Sequence, residues 1–416
     1  MKKVREGYKI TEFGEIPSEW EVKKLKDLGN SVIGLTYSPD DLVDGCNGTL
    51  VLRSSNIRNN RIVFDDNKYV NKDIQEKLIV KENDILICSR NGSKELIGKC
   101  ALIDKKAEGS SFGAFMTVYR SKYNKYLFNV FTSYMFKRQI YNNLGATINQ
   151  ITTDNLNNFK IIVPTIKEQE KIASILSTVD EQIDNVDALI EKNKELKKGL
   201  MQTLLTKGIG HTKFKKTEIG EIPEEWEVVK LGEVCDFKQG FQIPRSEQIL
   251  ECKEGYIRYL YITDFFSDNN KLFIKESRKY YYIEPRDIAI ANTGNTCGKA
   301  FRGATGVLSN NMFKIFNDKN RISDNYLWSY LNSDYYWNEL SKYFNTAGQP
   351  HVGHKNMSQL KIAIPNKLIE QEKIASILSE VDKKIEEYEN KKQKLEELKK
   401  GLMQQLLTGK IRVINY

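Results

Sequence analysis

At 416 residues the chain is long enough for two domains, each burying a core of its own, and 40% hydrophobic with 29% charged residues is an ordinary balance for a soluble globular protein. No run of about 18 apolar residues exists, which excludes a membrane-spanning helix, and the charged start Met1-Lys-Lys-Val-Arg lacks the apolar stretch of a signal peptide. Net charge is +9, yet Lys/Arg against Asp/Glu stand at 6 to 8 over residues 166–206 and at 9 to 9 over 367–408, leaving about +11 for the rest. That distribution fits a nucleic-acid partner, and a solvated lysine-rich surface gives the same count.

In chain order, the first landmark is Thr11-Glu-Phe-Gly-Glu-Ile-Pro-Ser-Glu-Trp-Glu-Val-Lys-Lys-Leu25. Short β-rich stretches follow between turns, among them Thr49–Arg53, Asp84–Cys88 and Phe115–Tyr119, with a helical stretch near Tyr126–Tyr141. Pro164 closes a strand, and Thr165 is placed to cap the next helix. From Ile166 to Thr206 there is no proline and one glycine, Gly199. Apolar positions step by four and three: Ile172, Leu176, Val179, Ile183, Val186, Ile190, then polar Asn193 and Lys197, then Leu200 and Leu204. This is a heptad seam with a polar middle, where Leu189 and Leu196 shift the stripe sideways.

The chain then repeats itself. Thr217-Glu-Ile-Gly-Glu-Ile-Pro-Glu-Glu-Trp-Glu-Val-Val-Lys-Leu231 returns the first landmark at an offset of 206, and Glu370–Ser379 returns Glu168–Ser177 letter for letter at an offset of 202. A period near 200 is far longer than a solenoid unit of about 20–50 residues, so it describes two whole domains with equivalent connectors. Between the anchors the halves share only scattered residues. Strand-like stretches recur at Tyr256–Leu260, Asp287–Ala291 and Phe313–Phe316, and a helical one near Tyr326–Tyr343. After Pro365, with Asn366 as cap, the second long helix carries Ile374, Leu378, Val381, Ile385, Tyr388, Lys392, Leu395, Lys399, Leu402 and Leu406 on one seam.

The fold class expected is α+β: two globular recognition domains joined and separated by two long helices that form an antiparallel coiled coil, with a pseudo-two-fold internal repeat. The segments are 1–164, 165–207, 208–365 and 366–416. A helix of about 40 residues is about 60 Å long and exposes one apolar stripe, so each needs a partner. Pairing with each other satisfies both stripes and sets the domains at opposite ends of a rod; packing along its own domain is the alternative. Gly199 and Gly401 either admit a neighbouring backbone or break the helix.

Two loop regions correspond across the repeat. Asn91-Gly92…Gly98-Lys99-Cys-Ala101 stands opposite Thr293-Gly294…Gly298-Lys299-Ala300, and Gly145-Ala-Thr-Ile-Asn-Gln-Ile151 opposite Ala347-Gly-Gln-Pro-His-Val352. Such amide-rich loops in a basic, aromatic chain suit contacts to base edges and phosphates. By donor chemistry the candidate DNA-binding residues are Tyr37, Arg53, Asn56, Arg90, Asn91, Asn149 and Gln150 in the first half. In the second they are Gln239, Gln242, Arg258, Asn292, Asn295, Gln349 and His351.

Catalytic signatures are missing. Gly98-Lys99, Gly298-Lys299 and Gly409-Lys410 are followed by Cys, Ala or Ile, so no Walker A loop is present. No two prolines adjoin, so the paired-proline loop of amino-methyltransferases is absent. The only histidines are His211, His351 and His354; the last two are spaced to touch a common ion, though loop contacts to DNA or solvent suit them better. Glu251-Cys-Lys253 lacks the upstream Pro-Asp of a nuclease motif. Cys46, Cys88, Cys100, Cys235, Cys252 and Cys297 lie far apart without a Cys-x-x-Cys pair, reading as free thiols in a reducing cytoplasm rather than a disulfide framework or zinc site.

Gly14-Glu-Ile-Pro-Ser-Glu-Trp-Glu-Val, its copy from Gly220, and the strand–proline–helix signature Ile161-Ile-Val-Pro-Thr-Ile-Lys-Glu-Gln-Glu-Lys-Ile with its copy from Ile362 resemble the specificity subunit of a type I restriction–modification enzyme over nearly the whole chain. Thr165 and Asn366 stand where relatives often have a second proline. The resemblance implies a non-catalytic, prokaryotic, cytoplasmic reader of double-stranded DNA. It implies a bipartite, asymmetric target, two methyltransferase subunits and added restriction subunits. S-adenosylmethionine, ATP and Mg are expected on those partners and no cofactor on this chain. If both domains read one face of B-DNA, half-sites sit about 10 base pairs apart, and a four-residue helix insertion of about 6 Å lengthens the spacer by one or two base pairs. The competing readings are a self-sufficient restriction–modification enzyme and a coiled-coil scaffold that binds no DNA.

Overall fold

The computed structural model describes residues 4–45, 47–144, 149–267, 269, 271–343 and 351–413. The chain divides into two compact units, Met1–Val186 with Lys391–Tyr416, and Asp187–Asn390. Each unit therefore takes the first half of one long helix and the second half of the other, so compactness cuts through both helices where the sequence-based segments keep each whole.

In the first unit an antiparallel sheet runs in the order Cys100–Leu102, Ile85–Cys88, Met116–Arg120, Asn30–Ile33. Ile85–Cys88 is buried at every position, as a strand covered on both faces must be. Alternation divides it between two cores. Ile85 and Ile87 pack with Tyr119, Phe131 and Phe136, while Leu86 and Cys88 pack with Leu52, Phe112 and Val118. A second sheet of short strands contributes Thr49–Leu52 to that latter core.

The second unit repeats the plan. Its sheet runs Cys235–Gln239, Met312–Asn317, Ile288–Ala291, Ala300–Phe301. Ile288 and Ile290 join the core that holds Phe313 and Tyr336, and Ala289 and Ala291 join Leu260, Leu308 and Met312. The helical stretch expected in each half is two helices, Asn124–Thr132 with Tyr134–Asn143, and Asp324–Leu331 with Asp334–Ser341. The break has one cause in both: the Ser133 and Ser333 hydroxyls accept from the N–H groups of Phe136 (3.3 Å) and Tyr336 (3.2 Å), capping a new helix.

The repeated landmark now has a structural meaning. Its strand, Glu21–Lys24 or Trp226–Lys230, pairs antiparallel with Lys160–Val163 or Lys361–Pro365, the strand that leads into a long helix. The helices span Ile166–Lys207 and Leu368–Leu406. Thr165 caps the first as expected, accepting from the Glu168 N–H at 3.4 Å and donating to Glu168 Oε2 at 3.0 Å. Asn366 does not cap the second, which begins two residues later. One residue more separates Pro365 from Glu370 than Pro164 from Glu168, so Lys367, not Asn366, stands three before the glutamate.

Within each unit the two helix halves pack on each other in antiparallel fashion. In the first, Ile172 and Leu176 are fully buried in one core with Leu402, Met403, Leu406 and Leu407. Val179 and Val186 are buried and Ile183 half-buried. In the second, Ile374 and Leu378 pack with Leu200, Met201 and Leu204, while Val381 is buried and Ile385 half-buried. Leu189 and Leu196, at 38% and 51% exposed, lie off the seam and do not divert it. Two polar seam positions are closed by ion pairs between the helices: Lys399 Nζ lies 2.6 Å from Asp180 Oδ1, and in the other unit Lys197 Nζ lies 2.6 Å from Asp382 Oδ1. Lys399 follows Lys197 by 202 residues, as Asp382 follows Asp180, so both units use one register. Gly199 and Gly401 do not break their helices, and no backbone of this chain's described residues approaches them. Both lie inside continuous helix, on its exposed side, and a Cβ added at either meets no atom within 4 Å.

Candidate nucleic-acid interface

The described parts of the corresponding loops are brought together in each unit; residues 145–148 and 347–350 of the second loop pair lie outside the described residues. In the first, the segment after Ile85–Cys88 and the one before helix Thr153–Asn158 are stitched by backbone bonds. Ile151 N–H donates to Ser89 O (2.8 Å), Asn91 N–H to Asn149 O (3.3 Å), and Arg90 bridges Gln150. A third loop joins through Phe115 O, which accepts from the N–H groups of Ser89 and Arg90, both at 3.0 Å. Side chains complete the platform. Asn91 Nδ2 donates to Ser54 Oγ (3.3 Å), Asn149 Nδ2 to Gly92 O (2.9 Å) and Lys99 Nζ to Ser54 O (3.3 Å). Gly98, at φ +80°, makes the turn, and its N–H donates to Cys88 O.

In the second unit the same stitches recur with other residues. Val352 N–H donates to Asn292 O (2.9 Å), Thr293 bridges His351, and Gly298, at φ +84°, donates to Ala291 O. Lys299 repeats Lys99, with its ammonium 5.0 Å from the ring centre of Phe266.

The candidate residues fall into two groups. Arg90 is exposed and Asn91, Asn149 and Gln150 are half-buried on the first platform; Asn295 and His351 are exposed on the second. Others are bonded within their own unit: burial of Asn56 and Asn292 corrects their reading as base contacts, while Arg53, Gln239 and Arg258 are half-buried. Asn56 is 0% exposed, accepting from Arg53 N–H and donating to Val63 O and Asn67 Oδ1. Arg53 pairs with Asp66 (2.7 Å) and Arg258 with Asp264 (3.1 Å). Gln239 Nε2 donates to the carbonyls of Asn310 and Met312, and buried Asn292 donates to Asn310 O. Short polar side chains near turns bond the backbone as readily as they face outward. Tyr37 is half-buried against Leu35, Val51 and Val70, and Gln242 is exposed. Gln349 lies outside the described residues.

His351 is exposed. His354 packs on Phe313 and Phe237, with ring centres 4.9 and 6.3 Å away, and burial pushes its pKa down. No group of three or more metal-ligating side chains occurs among the described residues. Cys88, Cys100, Cys235, Cys252 and Cys297 are free thiols, and Cys46 lies outside the described residues.

Sequence reasoning missed two features of the duplicated frame. One is a lock on each buried tryptophan. Trp20 Nε1–H donates to Glu168 Oε2 (2.8 Å), and Arg412 closes on the same carboxylate through Nε (2.6 Å) and Nη2 (3.1 Å). Burial alone would raise the Glu168 pKa, but the bonds from Arg412, Trp20 and Thr165 outweigh it and hold the carboxyl below its usual range. In the second unit His211 Nε2 meets Glu370 Oε1 (2.8 Å) beneath Trp226, whose indole N–H has no acceptor among the described residues. The other is a pair of grooves. In the first unit a cleft of 1330 Å³ runs between the hairpin around Phe13–Glu15, the start of helix Tyr134–Asn143, and the helix face Lys399, Lys400, Met403, Gln404. In the second unit a 510 Å³ cleft lies between the start of helix Asp334–Ser341 and Lys197, Lys198, Met201, Gln202. Both helix faces belong to the identical hexapeptide Lys-Lys-Gly-Leu-Met-Gln, and that repetition is the signal by which they were findable.

Comparison with known proteins agrees with this doubled plan. A family profile described as the type I restriction modification DNA specificity domain matches residues 17–197 and again 223–397. The chain is 32% identical, over 98% of its length and 97% of the relative's, to a putative type I restriction enzyme MjaX specificity subunit of Methanocaldococcus jannaschii. It is 31% identical, over 96% and 95%, to the type I restriction enzyme MjaVIII specificity subunit of the same organism. The crystal structure of a type I restriction–modification system S subunit from M. genitalium shares the fold, with a TM-score of 0.61 at 16% identity over 93% of this chain and 96% of that one.

Proposed function

The chain belongs to the type I restriction modification DNA specificity family, and on that footing we propose that each of its units reads one half of a bipartite, asymmetric DNA target while the duplicated frame holds the partner subunits. It is a non-catalytic specificity subunit; recognition and assembly are its contribution. The observation that carries the reading is one loop platform built twice by the same backbone bonds and furnished with different side chains, exposed Arg90 and half-buried Gln150 in one unit, half-buried Thr293 and exposed His351 in the other. One scaffold with two sets of readers is what an asymmetric target requires.

The identical hexapeptides on the two grooves fit two copies of one partner, the methyltransferase subunit. Lysines flank an apolar floor of Met403 and Phe13 in one groove and of Met201 in the other, chemistry that suits an amphipathic helix with acidic edges. The exposed glycine inside each hexapeptide admits close backbone approach. Restriction subunits complete the complex in the prokaryotic cytoplasm, and S-adenosylmethionine, ATP and Mg act on the partners. The test is binding of duplex DNA, by the chain with its methyltransferase partner, at several salt concentrations. Expected are a steep fall of log affinity with log salt from released counterions, and selection of two unlike half-sites from randomised duplexes. No salt slope and no selected sequence would return the chain to a scaffold that binds no DNA.

A further inference from the structure

The internal repeat acts as an alignment of the protein against itself. Where two units hold the backbone by the same bonds, a side chain kept in both serves the scaffold, and an exposed one that differs is free to set specificity. Ile151 and Val352, Gly98 and Gly298, and Lys99 and Lys299 are the kept positions. Arg90 is an exposed position that differs in chemistry: the shared bridges set it opposite Thr293, one residue from the Asn91-to-Thr293 match that the letters suggest.

Arg90 is also singled out by its surroundings. In the first unit Arg5, Arg53, Arg58, Arg61, Arg120 and Arg412 each pair with a carboxylate. Of that unit's arginines, Arg138 and Arg90 show no such partner among the described residues, and Arg90 is the one on the loop platform. Its guanidinium instead sits over the ring of Phe115, 5.1 Å from the centroid, and Phe115 is 57% exposed. Both residues are tied by backbone, Arg90 N–H to Phe115 O at 3.0 Å, and Cys88 Sγ–H reaches Arg90 O at 3.7 Å. A planar cation resting on an aromatic face keeps its N–H edge free and loses little freedom when that edge meets a flat acceptor pair. Guanine presents such a pair, O6 and N7, in the major groove, and arginine is its commonest reader.

Resting on the DNA-recognition reading above, we propose that Arg90, held by Phe115, reads one guanine of the half-site recognised by the first unit. The second unit, with threonine there, makes no equivalent contact. Arg90 is a specificity-determining residue and Phe115 its positioning residue.

The experiment selects bound sequences from randomised duplexes with the full chain in complex with its methyltransferase partner, comparing wild type, Arg90→Thr, Arg90→Lys and Phe115→Ala. Arg90→Thr carries the residue of the second unit at an exposed site, so the fold is kept, and the untouched half-site reports that directly. The expected result is loss of about 5- to 150-fold discrimination at a single G·C pair in one half-site, with the other half-site unchanged. Phe115→Ala weakens preference at that same pair, which a merely structural role would not do, and Arg90→Lys keeps affinity while losing part of the discrimination. An unchanged target for Arg90→Thr overturns the proposal, and so does a uniform loss of affinity at every sequence, which marks a phosphate contact. Wild type that selects no sequence at all sinks the underlying reading instead.

Discussion

Replacing Gly199 and Gly401 by alanine separates what the isolated chain needs from what its assembly needs. Both positions are helical, and an added Cβ meets no atom within 4 Å, so the substitution brings no clash. Alanine is favoured over glycine in a helix interior by about 0.8–1.0 kcal/mol. Gly199 stands eight residues before the helix end at Lys207 and should gain that full amount; Gly401, five before Leu406, should gain somewhat less because the last turn frays. For a unit of roughly 200 residues, 1 kcal/mol raises Tm by about 2–4 °C. Because the two units can unfold separately, calorimetry should be paired with hydrogen exchange to show which one gained: Gly199→Ala the unit of Asp187–Asn390, Gly401→Ala the other. If a partner helix docks against those glycines, the same changes weaken assembly with the methyltransferase subunit, since overpacking a close contact costs about 1–3 kcal/mol. A lowered Tm for either variant would refute the reasoning, because it would mean the methyl group meets something inside the folded chain.

The two tryptophan locks should respond unequally. Trp20→Phe removes a bond to the buried Glu168 carboxylate and should cost about 1.5–3 kcal/mol beyond the lost ring atoms, whereas Trp226→Phe deletes an indole N–H without an acceptor among the described residues; denaturant midpoints for the two should differ accordingly. Asp180→Ala should destabilise the first unit more than Asp382→Ala does the second, as Asp180 and Lys399 are 20% and 15% exposed and Asp382 is 47% exposed; about 1–2 against about 0.5 kcal/mol is expected by hydrogen exchange. Gly98→Ala forces a Cβ to φ +80° and within 2.2 Å of Ile140 Cδ1, so a loss of about 2–4 kcal/mol in urea unfolding is expected, with the DNA platform loosened. The His354 pKa is held below its ordinary value of 6.5, so the unfolded chain binds that proton more readily. Its contribution is therefore complete above about pH 6.5 and is lost as pH falls through the folded value; His354→Phe should flatten urea midpoints measured between pH 7 and 5.

Periodicity and repetition carried most of the architecture. The seam from Ile172 to Val186 and its copy from Ile374 to Ile385 were legible because an α-helix returns to one face every three or four residues whatever surrounds it. Loops were legible only as correspondences. That Gly98 matches Gly298 is a matter of letters; that Asn56 is buried while Arg90 is exposed depends on what the rest of the chain packs around them. An asparagine or arginine beside a turn bonds the backbone or faces outward by margins of about 1 kcal/mol, too small to read locally.

The amino-acid order by itself determined that this is a duplicated α+β chain with two seamed helices and a repeated landmark, because heptad spacing and copied motifs are local properties of the chain. Only the tertiary structure decided that each unit is closed by halves of both helices, that Arg412 and His211 reach back to the glutamates beneath the tryptophans, and that three loops meet at Arg90 and Phe115. Those contacts join residues tens to hundreds of positions apart, and no short-range pattern encodes such a meeting; it arises when the seams bury their apolar stripes and the strands find their registers.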